Sequence, residues 1–277
     1  MLYNGLYEQV VYELLGRELD SATEKIALTQ SIDPAEASLV LTKYVAEVVR
    51  LGLEQLIDAG GDLSDQVSLS NQIVSLIRSA TDNREMDGLR VDERALQLLA
   101  LDDRTNRLLQ NEEAYSPVRP VSSLSISSVF TGAVREPSLF SEFRKEIRSC
   151  DRIDMLVSFI KWSGLRLIID DLREFTLRGG ALRVITTSYM GATDLRAIEE
   201  LRQLTNTQIK ISYDTKRTRL HAKTYAFYRN SGFSTAYIGS SNLSNAAISS
   251  GLEWNVKITA KDLPDTLEKV SATFESY

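Results

Sequence analysis

The apolar positions of this chain follow two rhythms, one in each half. Between Leu2 and Leu19, the residues Leu6, Val10, Val11, Leu14 and Leu15 fall on one face of a 3.6-residue repeat and predict a helix. Asp33-Pro34-Ala35-Glu36 reads as the start of a second helix, with Asp33 as cap, Pro34 in the first turn and Glu36 reaching back. That helix is expected to run to Asp58 and to stop at Gly60-Gly61. The pattern returns over Ser64–Ser79 and, more briefly, over Val91–Leu101. Residues 1–120 are therefore expected to form an all-α domain of four or five helices, with the apolar stripes as its core.

Asn111–Ser128 reads as a linker, broken by Pro117 and Pro120 and crowded with serines, so the domain boundary is placed near residue 120. From Pro137 the pattern alternates. Ser138–Cys150 is expected as a helix, Ile153–Ile160 as a buried strand and Gly164–Leu177 as a helix. Gly179-Gly180 turns the chain into the strand Leu182–Tyr189; the helix Asp194–Leu204 and the strand Gln208–Tyr213 follow. Such alternation predicts a largely parallel sheet with helices on both faces and active residues at the strand ends. Three strands with shorter connections close the chain: Leu220–Tyr228, Thr235–Gly239 and Leu252–Thr259. Residues 121–277 thus read as an α/β domain.

The candidate chemistry gathers on those last strands. His221 is the single histidine among 277 residues. Side chains alternate along a strand, so His221 and Lys223 share a face. Gly239-Ser240-Ser241-Asn242 ends the next strand, with Ser240 and Asn242 on one face if the chain stays extended; Glu253 begins the last. An imidazole, an ammonium, a hydroxyl and an amide around one small volume suit a phosphoryl group. Lys223 is a compact charge for an oxyanion. Ser240 and Asn242 are neutral donors, and Gly239 lets backbone come close. His221 can attack phosphorus and later release it. Glu253 can accept the other ring N–H of His221 and fix its tautomer. Lys216, Arg217 and Arg219 precede the strand and are candidates for contacts to a nucleic-acid backbone. Trp162, after Lys161, is favoured as a core residue over a base-stacking platform. Tyr189 and Thr193 are candidate groove residues, and Cys150 reads as an inert buried thiol.

The H-x-K, G-S-x-N and downstream Glu pattern resembles the HKD signature of the phospholipase D superfamily, in particular its single-motif nucleases. The resemblance implies an α/β fold, a phospholipase-D-like mixed/parallel sheet flanked by helices and preceded by an all-α N-terminal domain. It implies His221 as nucleophile, Lys223 and Asn242 as phosphate ligands, Ser240 as the hydroxyl of the G-S-x-N box and Glu253 as the carboxylate. The family pattern often has Asp five residues after the Lys; Tyr228 stands there and, by strand parity, faces away from the site. Residues 138–194 resemble the front half of such a domain. With the helical N-terminus, the chain resembles the start of large nuclease–helicase proteins, some of them ATP-dependent restriction enzymes. The resemblance implies DNA as substrate, a helicase module following in a longer protein, and a second histidine to protonate the leaving oxygen. With one histidine per chain, that second imidazole is expected from a homodimer formed through the phospholipase-D-like domain.

Composition sets the remaining bounds. The chain is 25% charged and 43% apolar, ordinary for a globular protein. It carries neither a signal-peptide pattern nor a membrane-length apolar run, and one cysteine forms no disulfide framework, so a cytoplasmic location without membrane contact is expected. The net charge of −6 is unevenly shared: residues 1–120 hold 11 basic and 21 acidic side chains, residues 121–277 hold 21 and 17. The mildly basic half is the one expected to meet a polyanion. No metal-ligand spacing and no Walker A loop occur, so no cofactor is expected and this chain does not itself hydrolyse ATP. Two other readings stay open. One is a non-catalytic DNA-binding or dimerisation module of a helicase; the other is a lipid-directed phosphodiesterase, disfavoured by the single motif.

Overall fold

The structure, a computed structural model, describes residues 2–101, 117–133, 135–214, 220–244 and 253–277, with the backbone alone at Met190. The chain divides into two compact units, Met1–Leu101 and Asp102–Tyr277.

In the first unit the described helices are α1 (Glu13–Ser21), α2 (Ala37–Asp58) and α3 (Leu63–Thr81), followed by a 3-10 turn at Arg84–Leu89. Asp62 and Asp65 form a reciprocal capping box at the start of α3. α2 begins later than expected, because Asp33 takes the Ala35 N–H (2.8 Å) in a turn that precedes the helix. Val91–Leu101 is not a helix. Its start is held instead by the side chain of Asn71, which accepts from Val91 N (2.8 Å) and donates to Val91 O (3.1 Å). Nor do the apolar stripes form a closed core. α2 and α3 contain no buried residue, and Leu39, Val45, Val48, Leu51 and Leu76 are exposed.

The second unit is one seven-stranded sheet: β1 (Ser128–Phe130), β2 (Arg152–Val157), β3 (Ala181–Thr187), β4 (Thr207–Ser212), β5 (Lys223–Tyr228), β6 (Thr235–Gly239) and β7 (Asn255–Thr259), in the order β1-β7-β6-β5-β2-β3-β4. β2, β3 and β4 run parallel, joined by helical crossovers. β5, β6, β7 and β1 are antiparallel to their neighbours. The sheet is therefore mixed, as the resemblance implies, although alternation alone points to a largely parallel one: β5 and β6 are joined by a turn too short for a crossover. The described helices are α4 (Leu139–Ser149, capped by Ser138), α5 (Trp162–Leu165), α6 (Ile169–Leu177), α7 (Leu195–Arg202) and α8 (Pro264–Glu275). The helix expected over 164–177 is divided into α5 and α6. β1 lies at the end of the stretch read as linker, and α8 has no counterpart in the sequence reading. Among the described residues no helix is long and apolar enough to cross a membrane.

Strand alternation sorts the core. Met155, Val157, Tyr225, Phe227 and Tyr237 pack with Phe143 and Ile147 of α4 on one face. Ala226, Ala236 and Ile258 meet Leu267 of α8 on the other. Phe143 is the hub of the first face, with ring centroids 4.7 Å from Tyr225, 5.1 Å from Tyr237 and 5.6 Å from Phe227.

A fully buried carboxylate ties α4 to three strands. Glu146 accepts from Arg229 Nη2 (2.6 Å), Thr235 Oγ1 (3.0 Å) and Tyr237 OH (3.0 Å), and Lys257 Nζ lies 3.2 Å away. Lys257 is itself fully buried and also donates to Ser122 Oγ (2.7 Å). Glu142, one turn earlier, accepts the Val121 and Ser122 N–H groups (2.9 and 3.0 Å). Residues 121 and 122 are thereby fastened to the sheet unit. Removing Glu146 strands a buried guanidinium and ammonium, so Glu146→Ala should cost about 3–5 kcal/mol of stability, the usual loss for half of a buried pair. Asp170→Asn, which breaks only the surface pair with Arg173, should leave the denaturation midpoint close to wild type. Denaturant unfolding of both variants checks this; equal midpoints would show that the buried cluster adds nothing.

Candidate active site

β5 and its neighbours carry the candidate residues at one end of the sheet. His221 lies two residues before β5 and is exposed, while Lys223 opens the strand and is 8% exposed. The Lys223 ammonium lies 3.1 Å from His221 Nδ1, 3.2 Å from Nε2 and 3.1 Å from the His221 carbonyl oxygen. The expected sharing of one face is thus realised, with a buried cation beneath an accessible ring. Burial pushes the Lys223 ammonium below the ordinary lysine range, and the charge of Glu253 opposes that shift.

The G-S-x-N box follows β6. Gly239 pairs with Asn255 of β7, and a Cβ there would stand 2.1 Å from the Trp254 carbonyl oxygen. Only glycine allows that approach. Ser240 is held on both sides by Trp254: its N–H donates to the Trp254 carbonyl (3.0 Å), and its Oγ accepts from Trp254 N (3.1 Å). The Ser240 hydroxyl in turn donates to the Glu253 carboxylate. Glu253 therefore takes Ser240, where the sequence reading gives it the ring N–H of His221. Beyond Ser240 the box turns inward. Ser241 is fully buried; its carbonyl accepts from Tyr225 OH (3.0 Å) and its hydroxyl from Asn255 Nδ2 (2.8 Å).

Asn242 is 8% exposed, and its Oδ1 accepts the N–H of Phe159 (3.4 Å). With the oxygen engaged there, the amide presents its N–H2 group as the donor for an anion. The loop after β2 closes on the same place. Ile160 bridges Leu243, Lys161 N donates to Leu243 O (2.9 Å), and a Cβ at Gly164 would meet Ser244 N at 2.5 Å. Asp194 braces this loop by accepting from Trp162 N (2.8 Å) and Lys161 Nζ (3.1 Å). Phe159, Asp194 and Trp254 had no signature in the sequence, because they act through backbone groups and loop contacts that no residue spacing records.

The other candidates separate cleanly. Trp162 packs against the core, with the Arg196 guanidinium 4.2 Å over its ring, so the core role favoured from sequence is the observed one. Thr193 spends its hydroxyl on Thr187 O (2.9 Å), closing its own loop, and Tyr189 N donates to Thr187 Oγ1 (3.1 Å). Tyr228 lies on the α8 face with Ala226 and Ala236, away from Lys223, under the Arg152 guanidinium at 3.9 Å. Cys150 is buried, and burial pushes its thiol up to about 12. Lys216, Arg217 and Arg219 lie outside the described residues.

Known proteins bear on this geometry. Comparison with curated proteins returned no significant match. Among solved structures, the chain is similar to NucT from Helicobacter pylori, at 17% identity over 55% of this chain and 94% of that one, with a TM-score of 0.43. It is also similar to Nuc, a phospholipase D family member from Salmonella typhimurium, at 22% identity over 55% and 93%, with a TM-score of 0.40. A third likeness is to polyphosphate kinase from Porphyromonas gingivalis, at 13% identity over 64% and 32%, with a TM-score of 0.40. At these scores nothing about chemistry is carried across from them. The model for "Cardiolipin synthase, PLD-like domain" matches residues 143–277, from α4 through the site strands to the last helix. Over those residues, just under half of the chain, the chain is similar to the phospholipase-D-like domain family.

Proposed function

We propose that this domain is a phosphodiesterase that cleaves DNA through a phosphohistidine intermediate, without a metal ion. The observation that carries the reading is the exposed His221 ring set 3.1–3.2 Å above the buried Lys223 ammonium. A nitrogen of His221 attacks phosphorus, and the bond to the leaving oxygen breaks. The Lys223 ammonium and the Asn242 amide hold the non-bridging oxygens, so the charge that a metal would supply comes from the protein. Ser240 and Glu253 complete the rim. The leaving oxygen needs a proton, and the water that then attacks phosphohistidine must lose one. A single imidazole bonded to phosphorus can do neither, so His221 of a second copy does both across a two-fold axis. We further place the domain in the cytoplasm, at the front of a larger ATP-driven helicase or restriction protein that delivers DNA to the site. The mildly basic charge of residues 121–277 favours approach of a polyanion to the half with the site.

Plasmid cleavage tests the chemistry. Wild type should cut in EDTA, and His221→Ala should lose at least about 10³-fold, the scale lost when one member of a catalytic unit is removed. Lys223→Met should lose about 10²–10³-fold, as for removal of one oxyanion donor. Strict Mg²⁺ dependence would refute the proposal, and an equally active His221→Ala would refute it separately. Parallel assays on phospholipid vesicles decide against the lipid reading if only plasmid is cut.

Subunit mixing tests the composite site. When wild type and His221→Ala are co-expressed in varied ratio, activity should follow the square of the wild-type fraction. A linear dependence would mean that one histidine suffices.

The pH profile tests Lys223. Its lowered pKa places loss of the ammonium, and with it loss of rate, at a pH below that of an ordinary lysine. Glu253→Gln removes the charge that raises it, so the alkaline limb should move lower still. A limb that stays in place or moves higher would exclude Lys223 as the source of the charge.

A further inference from the structure

The first unit holds more apolar surface than it covers. Among its described residues only Leu15 is buried, although α2 and α3 run for 22 and 19 residues. Helices in water draw most of their stability from packing an amphipathic face, so an open face on two of them asks for a cover. The face can be located. A Cβ at Gly52 of α2 would stand 3.8 Å from Leu69 Cδ2 of α3, and Gln66 Nε2 donates to the Leu53 carbonyl (3.1 Å). The two helices are joined by residues 59–62 and run antiparallel, so two turns further along Val45 stands opposite Leu76. Both are exposed, as are Leu41 and Val48, which share the Val45 face of α2 at helical spacing. The two borders of this face differ in charge. Glu47 and Glu54 flank it on α2, both paired to Arg50 (2.6 and 2.5 Å). Gln72 and Ser79, three residues after Leu69 and Leu76, flank it on α3 and are uncharged.

We infer that this face docks on the same face of a second copy, so that two α2–α3 hairpins form a four-helix bundle with α2 of each copy on α3 of the other. Charge removes two other occupants. Residues 1–101 hold 8 basic and 17 acidic side chains, so the unit repels nucleic acid and anionic membrane surfaces. Area fits a protein contact. Helices about 28 Å long and about 10 Å apart offer a face of roughly 560 Å², so two such faces together bury about 1,100 Å², enough for a specific interface. Border chemistry sets the arrangement. A two-fold axis along the helices puts the acidic border of α2 against the uncharged border of α3, and Val45 of each copy against Leu76 of the other. Stacking α2 on α2 would instead oppose Glu47 and Glu54 to their own copies, a like-charge contact that costs affinity. The inference does not rest on the phosphodiesterase reading, and the contact is separate from the one proposed through the second unit.

Sedimentation equilibrium of the full chain tests this. Wild type should self-associate, and Val45→Glu and Leu76→Lys should each weaken association at least about 100-fold, because an unpaired charge is then buried twice per dimer. The double variant Val45→Glu/Leu76→Lys should recover association to within about 10-fold of wild type, since each carboxylate then meets an ammonium of the other copy. That recovery also excludes misfolding as the cause of the single losses. Leu39→Glu lies on α2 but off the stripe, and should associate as wild type does. Wild type that stays monomeric at about 100 μM overturns the inference. So do single variants that associate as wild type does, which would assign assembly to other surfaces. A double variant no better than the single ones would mean that this face meets something other than its own copy, and equal loss in Leu39→Glu would mean that the stripe is not what is recognised.

Discussion

The site depends on a carboxylate that never touches it. Glu146 draws Arg229 from the end of β5, Thr235 and Tyr237 from β6, and Lys257 from β7 into one buried cluster. The cross-strand pairs Tyr225↔Tyr237 and Tyr237↔Lys257 are thereby set on the α4 face. Strand faces alternate with period two, so a slip of one residue would exchange the faces of a whole strand. It would turn Lys223 toward α8 and bring Thr224 to the core side. Buried charge is a costly way to hold a register, because desolvation opposes the attraction. Here the carboxylate is met on all sides: a guanidinium, an ammonium, a hydroxyl and a phenol share its oxygens. The same strands then emerge at their other ends as His221, Ser240 and Glu253.

At that end the chain arranges its polar groups by depth. The Lys223 ammonium and the Asn242 amide are buried, and the His221 ring and the Ser240 hydroxyl are exposed. The buried pair is preorganised. Lys223 lies within hydrogen-bond reach of the His221 ring and carbonyl, and Asn242 has its oxygen on the Phe159 backbone. Groups fixed in this way need no rearrangement when negative charge develops nearby, the source of most electrostatic catalysis. Reduced solvation also makes the ammonium interact more strongly with an anion than a surface lysine would.

How much of this was legible in the sequence follows from what each feature depends on. β6 was read to its observed limits, because Thr235–Gly239 combines β-forming residues with a glycine stop. β2 to β4, and α4 with its Ser138 cap, were read to within a few residues for similar local reasons. His221 and Lys223 were found because parity alone makes them neighbours. The 3.6-residue repeat did not give a helix at Val91–Leu101, where the Val91 backbone is held by the side chain of Asn71. In α2 and α3 the apolar repeat marks helices that do form, although neither contains a buried residue. The Glu253 partner was also misassigned. Spacing shows that a carboxylate is near, and only the backbone clamp between Trp254 and Ser240 decides which donor it meets.

The exposure of His221 then takes on meaning. A hydrolase that worked alone would be expected to keep its nucleophile in a cleft, where excluded water strengthens every interaction. This chain instead buries the Lys223 ammonium and the Asn242 amide and leaves the His221 ring at the surface. Such an arrangement is half of an enclosure. On the proposed mechanism, the other wall is the substrate together with a second copy. A second copy would add the missing imidazole and cover the ring in the same step, so the shortage of histidine and the openness of the site have one remedy. Lys223 is tied to that same ring, its ammonium lying 3.1 Å from Nδ1 and 3.2 Å from Nε2 of His221.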